Sequence, residues 1–405
     1  TWSTSAISAL TASEVNRAAR ELLPERGTLL RLFAPADEPL PDEAALRALW
    51  TMHKNTQLTA YAESGAQSAF GARPTAKAAV VTAAHYDGID ASDYLLENGA
   101  RIITKKTDFE TDGIYVLAWS EGGRSLVSDE DYPSSLVATT YAAYSGVGDM
   151  TLAAFRKSLM GTGIGSVDMS LYDDSEQFSA FTTGKGLEGT LQLFRAFFVS
   201  PRFSDDGWLS VGTRLDNAVK AHGAAPEDAL WDAVLAARYG NSIRHAPLTA
   251  DFAARIDRER AERIYRARFT NVADFTFIFV GDLDEKTLLE LCQHYIGTLP
   301  GDKNARERAV LHEEPFPAGT PHSVVHKGQD EQSSVYLAFG GTLPPALDAA
   351  QCWLDSALMD AFGQLLEMKL FDNLREDKSG TYGVNVWTDI NTLHVDEPRE
   401  FAVAI

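Results

Sequence analysis

Cysteine is scarce in this chain: Cys292 and Cys352 are the only two among 405 residues. That excludes a disulfide framework, and both read as free packing residues, Cys292 within the apolar helical run LLELCQHYI. Basic charge is short as well. Thirty-six Lys and Arg face 57 Asp and Glu, a net charge of −21 that repels phosphate backbones and anionic lipid surfaces, so nucleic acid is not an expected partner. No apolar run approaches the roughly 20 residues that a membrane-spanning helix needs. The opening, TWSTSAISALTASEVNRAARELL, has no charged-then-apolar signal segment and is already amphipathic. It reads as a fragment boundary and leaves bacterial periplasm and cytoplasm both open.

What is present is a globular composition, 45% hydrophobic and 23% charged, long enough to bury two cores. Thr11 to Phe33 reads as helix, turn and strand, and the Pro- and Asp-rich APADEPLPDE after it marks a boundary. Leu46 to Lys77 has no clear periodicity and reads as a linker. From Tyr94 the pattern sharpens. An Asn-Gly turn, a strand from Arg101 to Lys105, an Asp-Gly turn and an apolar strand from Ile114 to Trp119 together predict a hairpin. Helices follow over Asp131–Ala143, Met150–Met160, Gly189–Val199 and Gly207 to about Leu235. The glycines at 161, 163 and 165 do not form a phosphate loop, because a helix precedes them and the strand-like SVDMSLY follows.

Helix, strand and helix then recur at Ala261–Phe269, Asp274–Val280 and Lys286–Tyr295. The order of the first two echoes Glu14–Phe33, which points to duplicated domains. Asp302 to Pro321 reads as a linker, and strands at Ser323–Lys327 and Ser333–Gly340 lead into a long helix. Hairpins leading into runs of helices predict an α+β fold: duplicated two-layer domains, each a mostly antiparallel sheet with helices packed on one face.

The most informative stretch is Leu358 to Trp387, LMDAFGQLLEMKLFDNLREDKSGTYGVNVW. Leu358, Phe362, Leu365, Leu366, Leu370 and Leu374 recur at three- and four-residue steps, the stripe with which a helix buries one face. Arg375 falls near its end; Lys378, Ser379 and Gly380 break it; and Tyr382, Val384 and Val386 alternate as in a strand. Arg375 and Tyr382 could converge as two donors. By themselves they also suit a dipole-complementing Arg and a sheet-packing Tyr.

LREDKSGTYGV resembles the substrate-gripping Arg/Tyr motif of the pitrilysin/insulinase-like zinc metallopeptidases, the inverzincins. LENGARIITKKTDFETDGIYVLAWSEGG is similar to that family's opening hairpin, LFRAFFVSPRFSDDGW to its mid-domain helix, and FTFIFVGDLDEKTLLELCQHYIGTLP to its closing strand and helix. The order and spacing match over nearly the whole chain. The resemblance implies that Arg375 and Tyr382 bind substrate, stabilising the negative charge that grows on a peptide carbonyl under attack.

The departure is specific. The family's catalytic half carries His-x-x-Glu-His, two zinc-binding imidazoles one helical turn apart with a Glu as general base, and a distant Glu ligand. Here the corresponding helix is LVATTYAAYSG, and the motif positions fall on Val137, Thr140 and Tyr141. Thr213 to Val219, where the distant ligand would lie, offers Asp216 and Asn217 but no Glu. His322 and His326 in HSVVH share the spacing of zinc histidines, but on a strand a four-residue step spans about 13 Å. No metal site is expected in this chain.

The resemblance thus implies the non-catalytic C-terminal half of a zinc endopeptidase, inactive by itself. It would close a chamber that admits peptide substrates against a zinc-bearing half carried on the same polypeptide or on a partner subunit. A soluble peptide-binding scaffold is the remaining alternative. The expected organisation is the tail of a preceding domain plus linker over 1–77, a domain with the degenerate zinc motif over 78–301, and a second over 302–405, truncated at its end and carrying the Arg/Tyr motif.

Overall fold

The computed structural model describes residues 7, 9–22, 29–33, 39–54, 56, 70–240, 242–310, 312, 316–329, 331–377 and 383–405, with backbone only at 54 and 375–377. Residues 1–65 and 66–405 form two compact units. In the smaller, helix α1 (Ala12–Leu22) starts at a reciprocal cap: the Glu14 carboxylate accepts the Thr11 amide (2.8 Å) and the Thr11 hydroxyl accepts the Glu14 amide (3.3 Å). Helix α2 (Glu43–Lys54) occupies the start of the stretch expected to be linker. Residues 29–33 are exposed and form no strand.

The larger unit carries two sheets. Seven strands, β1 (Val80–Tyr86), β2 (Ala91–Leu96), β3 (Arg101–Lys106), β4 (Gly113–Glu121), β5 (Val167–Leu171), β6 (Ser175–Thr183) and β7 (Thr276–Gly281), lie in the order β1-β2-β3-β7-β4-β6-β5. Every pairing is antiparallel except β3 with β7. The hairpin expected between β3 and β4 does not form. β7 inserts between them, with Phe277 and Phe279 fully buried, and the six residues 107–112 suffice to cross two strand spacings of about 10 Å in total. The Asn-Gly turn instead closes a β2–β3 hairpin: Gly99 takes φ 94°, and the Asn98 amide donates to the Ile296 and Leu299 carbonyls at 2.9 and 3.1 Å.

One face of this sheet is covered. Helices α3 (Tyr132–Ser135), α4 (Ala138–Ser145), α5 (Leu152–Leu159), α6 (Leu187–Val199), α7 (Asp205–Ala221), α8 (Pro226–Tyr239), α9 (Ala250–Ala253), α10 (Arg258–Arg268) and α11 (Glu285–Tyr295) belong to this lobe. Alternate residues Ile114, Val116 and Ala118 of β4 and Phe178 and Ala180 of β6 point into a core shared with Phe194, Phe197 and Phe198 of α6 and with Phe269 and Phe275. The rings meet edge-on or tilted, as quadrupoles prefer, Phe178 lying 4.9 Å from Phe269 and 5.2 Å from Phe198. Tyr115 and Phe181 stand exposed on the opposite face, 4.8 Å apart.

The second sheet has β10 (Arg399–Ala404) between β8 (Ala338–Leu343) and β9 (Trp387–Ile390), all antiparallel, with α12 (Ala349–Phe371) across it. The Asp348 side chain caps α12, accepting the Gln351 amide at 2.8 Å, and a π-helical turn at Asp372–Asp377 ends it. The expected apolar stripe is only partly covered: Leu366, Leu370 and Leu374 are half-buried, with the buried Cys352 and Gly363 on the same helix, whereas Leu358, Phe362 and Leu365 are exposed. Three strands are too narrow to cover a helix that is apolar nearly all round. The helix settles on its smallest residue, Gly363, where a Cβ would meet Thr388 at 2.8 Å. An ion pair from the buried Arg399 to the half-buried Asp355, at 2.8 Å, fixes helix to sheet. Residues 383–386 form no strand, because the Val386 amide bonds to Glu367 of α12 at 3.1 Å rather than to a neighbouring strand. Residues 323–327 form none either. The fold is nevertheless the expected α+β arrangement of mostly antiparallel sheets with helices against them.

Candidate functional site

The three positions expected to correspond to the zinc motif, Val137, Thr140 and Tyr141, lie at the start of α4. The Tyr141 amide bonds to the Val137 carbonyl at 2.8 Å, so the two side chains stand one helical turn apart, the spacing zinc histidines use. Val137 and Tyr141 are buried and Thr140 is half-buried. α4 ends at Gly146, whose φ of 90° and close approach to the Met150 carbonyl admit no side chain. α7 packs against α4, with Ser145 linking them: its hydroxyl donates to the Tyr141 carbonyl (2.8 Å) and accepts the Ser204 amide (3.0 Å).

The Tyr141 ring lies 5.0 Å from Phe203 and 5.1 Å from Trp208, and its hydroxyl accepts a bond from Arg258 Nε at 2.7 Å. Arg258, in the first turn of α10, also reaches Asp205 at the start of α7 with 2.6 Å between Nη1 and Oδ1. Burial raises the Tyr141 pKa above the usual phenol value although Arg258 favours the phenolate, so the hydroxyl stays protonated near neutrality. Asp216 and Asn217 are exposed on α7. Zinc requires three or four deprotonated N, O or S donors. A valine, a threonine and a protonated tyrosine bonded to a guanidinium do not fit it. Among the described residues no three His, Cys, Asp or Glu side chains gather as a metal site. His322 and His326 are exposed on irregular chain.

For the Arg/Tyr motif, the Arg375 backbone belongs to the π-helical turn after α12, while its side chain and the whole of Tyr382 lie outside the described residues.

Sequence reasoning missed three ionisable groups. Arg258 and Asp205 carry no motif signal. Glu176 breaks the buried face of β6 and is 1% exposed; its carboxylate accepts Ser120 Oγ (2.9 Å) and the Gly123 amide (2.7 Å). Burial pushes its pKa up to about 8 against the opposing effects of Arg268 and those two donors. A charged residue at an inward position of an alternating strand is the signal that could have found it.

The fold is an α+β arrangement in which the described residues gather no metal site. Residues 255–403 match the family described as Peptidase M16 inactive domain. The chain is 23% identical over 324 residues to a probable zinc protease PqqL of Haemophilus influenzae, covering 78% of this chain and 33% of the relative. It is 26% identical over 360 residues to the probable zinc protease PqqL of Escherichia coli, covering 84% and 36%. The crystal structure of the periplasmic protease PqqL from Escherichia coli superposes with a TM-score of 0.63 at 21% identity, over 90% of this chain and 39% of that one. Residues 255–403 thus resemble a Peptidase M16 inactive domain, and the chain is similar in sequence to PqqL zinc proteases. It spans about a third of the length of the curated relatives it matches.

Proposed function

We propose that this chain is the non-catalytic half of a zinc-dependent endopeptidase, which closes the proteolytic chamber over a zinc site held on another half. The observation that carries the reading is the match of residues 255–403 to an inactive peptidase domain. It is joined by a motif helix on which Val137, Thr140 and Tyr141 leave no donor set for zinc. The open sheet face with Tyr115 and Phe181 supports the same reading, because a wall that meets unfolded peptides benefits from exposed apolar and aromatic groups. In this assignment 1–77 is the tail of a preceding domain plus linker, and 78–301 and 302–405 are successive peptidase-like domains. Arg375 and Tyr382 are its substrate-binding residues, supplying donors to the carbonyl oxygen under attack.

Metal analysis of chelator-free protein, beside an assay for peptide hydrolysis, tests this directly. The isolated chain should carry no zinc and cleave nothing; near-stoichiometric zinc would overturn the reading. The reading frame upstream of Thr1 then separates two arrangements. An in-frame His-x-x-Glu-His places both halves on one polypeptide, and its absence makes this chain a separate subunit.

A further inference from the structure

We propose that His394 is a proton-dependent clasp that fastens the 302–405 lobe to the first lobe through Glu121. His394 lies in the connection between β9 and β10, 4% exposed, with Nε2 2.7 Å from Glu121 Oε1 and Nδ1 3.0 Å from Glu397 Oε2. A neutral imidazole has one N–H and cannot donate to two carboxylates; the imidazolium can. The geometry at both nitrogens is therefore that of the charged ring.

Glu121 ends β4, far away in the sequence, and the same oxygen accepts the Ala309 amide at 3.0 Å. Four residues on, the Ser125 hydroxyl accepts the Val310 amide (2.9 Å) and donates to the Gly122 carbonyl. The Ser125 carbonyl accepts His312 Nε2 at 2.8 Å. One short loop thus holds both the chain that connects the lobes and the histidine of the second lobe. Arg308, on that connecting chain, pairs with Asp396 at 2.5 Å and with Glu397 at 3.5 Å. The charged groups around His394 are Glu121 from β4, Glu397 and Asp396 from its own loop, and Arg308 from the connection. With the imidazole neutral, three carboxylates face one cation, and with it protonated they face two.

Burial works against charging His394, but the bonds to Glu121 and Glu397 outweigh it and leave its pKa above the ordinary value. A histidine so raised contributes its stabilisation in full below the unfolded pKa of about 6.5 and loses it as pH climbs through the folded one. The clasp is closed below the unfolded histidine value while its carboxylate partners stay ionised, and it opens as pH climbs through the raised folded value.

Hydrogen exchange read by mass spectrometry on the full chain, at pH 6 and pH 9 with intrinsic rates corrected, tests this on peptides covering 305–312 and 391–398. Protection there should fall between the two pH values by about tenfold for each unit by which the His394 pKa is raised, while the β7 peptide 276–281 keeps its protection. His394→Gln should show the low protection at both pH values. Glu397→Gln, which spares the contact with Glu121, should move the midpoint of the loss to lower pH and serves if His394→Gln does not fold. Unchanged junction protection across this range in the unaltered chain would overturn the proposal. So would a wild-type profile in His394→Gln, a wild-type midpoint in Glu397→Gln, or a loss as large in β7 as at the junction.

Discussion

Arg258 donates to the Tyr141 hydroxyl at 2.7 Å while a second arm of its guanidinium holds Asp205 at 2.6 Å. Three helices, α4, α7 and α10, are tied by these two contacts beside the positions at which the sequence resemblance implies a degenerate zinc motif. The guanidinium of Arg258 on α10 makes the cross-link there.

The tie has a measurable strength. Tyr141→Phe keeps the ring against Phe203 and Trp208 but removes the acceptor for Arg258, and should cost about 0.5–1.5 kcal/mol in denaturant unfolding. Tyr141→Ala also opens a cavity in a fully buried site and should cost about 3–5 kcal/mol. Equal losses for the two variants would show that the hydroxyl rather than the ring carries the site.

Glu176 gives the first lobe a pH dependence of defined sign. With a folded pKa of about 8 against an ordinary glutamate value near 4.3, the folded chain holds a proton that the unfolded chain has released at every pH between the two. Stability therefore falls as pH rises through that interval and levels off above it. Glu176→Gln preserves the shape and removes the titration, so its melting temperature should change less between pH 5 and pH 9 and exceed that of the unaltered chain at pH 9. A variant less stable than the parent at pH 9 would mean that the carboxylate is ionised and held by Arg268.

Much of the architecture was legible in the sequence because it is local. Alternation in GIYVLAWS and the periodicity of LFRAFF fix which residues face the core, and β4 and α6 form close to where those patterns place them. The neighbours of β3 were not legible. β7 is 170 residues downstream of it, and nothing in the turn residues 107–112 announces that another strand will enter between β3 and β4. The stripe on α12 is covered only in part for a related reason: periodicity shows that a helix has an apolar face but not how much of it a sheet is wide enough to cover. At the site, Val137, Thr140 and Tyr141 could be seen to lack zinc chemistry, whereas the partners of Tyr141 could not be inferred, since Arg258 lies 117 residues away.

The thiols should be inert in the native chain. Cys292 is fully buried, burial pushes its pKa well up, and Cys352 is buried as well. An aromatic disulfide reagent should find no fast-reacting thiol until the protein is unfolded, when two appear. Prompt reaction of one thiol would place α11 or α12 in an opened state.

Tyr382→Phe separates the two readings of the Arg/Tyr motif. If the hydroxyl meets the developing oxyanion, turnover by the assembled enzyme should fall about 10²- to 10³-fold with little change in stability. Arg375→Ala should weaken peptide binding as well as turnover. A helix-terminal charge alone predicts a loss of about 0.3–1 kcal/mol in stability and intact chemistry. Near-normal turnover for Tyr382→Phe would return that residue to a packing role.

The most direct measurement of the central claim is peptide turnover by the zinc-bearing half, produced with and without this chain. The account predicts no hydrolysis by either half alone and hydrolysis when both are present, with all of the zinc on the other half. Cleavage by this chain alone, or a zinc-bearing half whose turnover is the same in its absence, would contradict it.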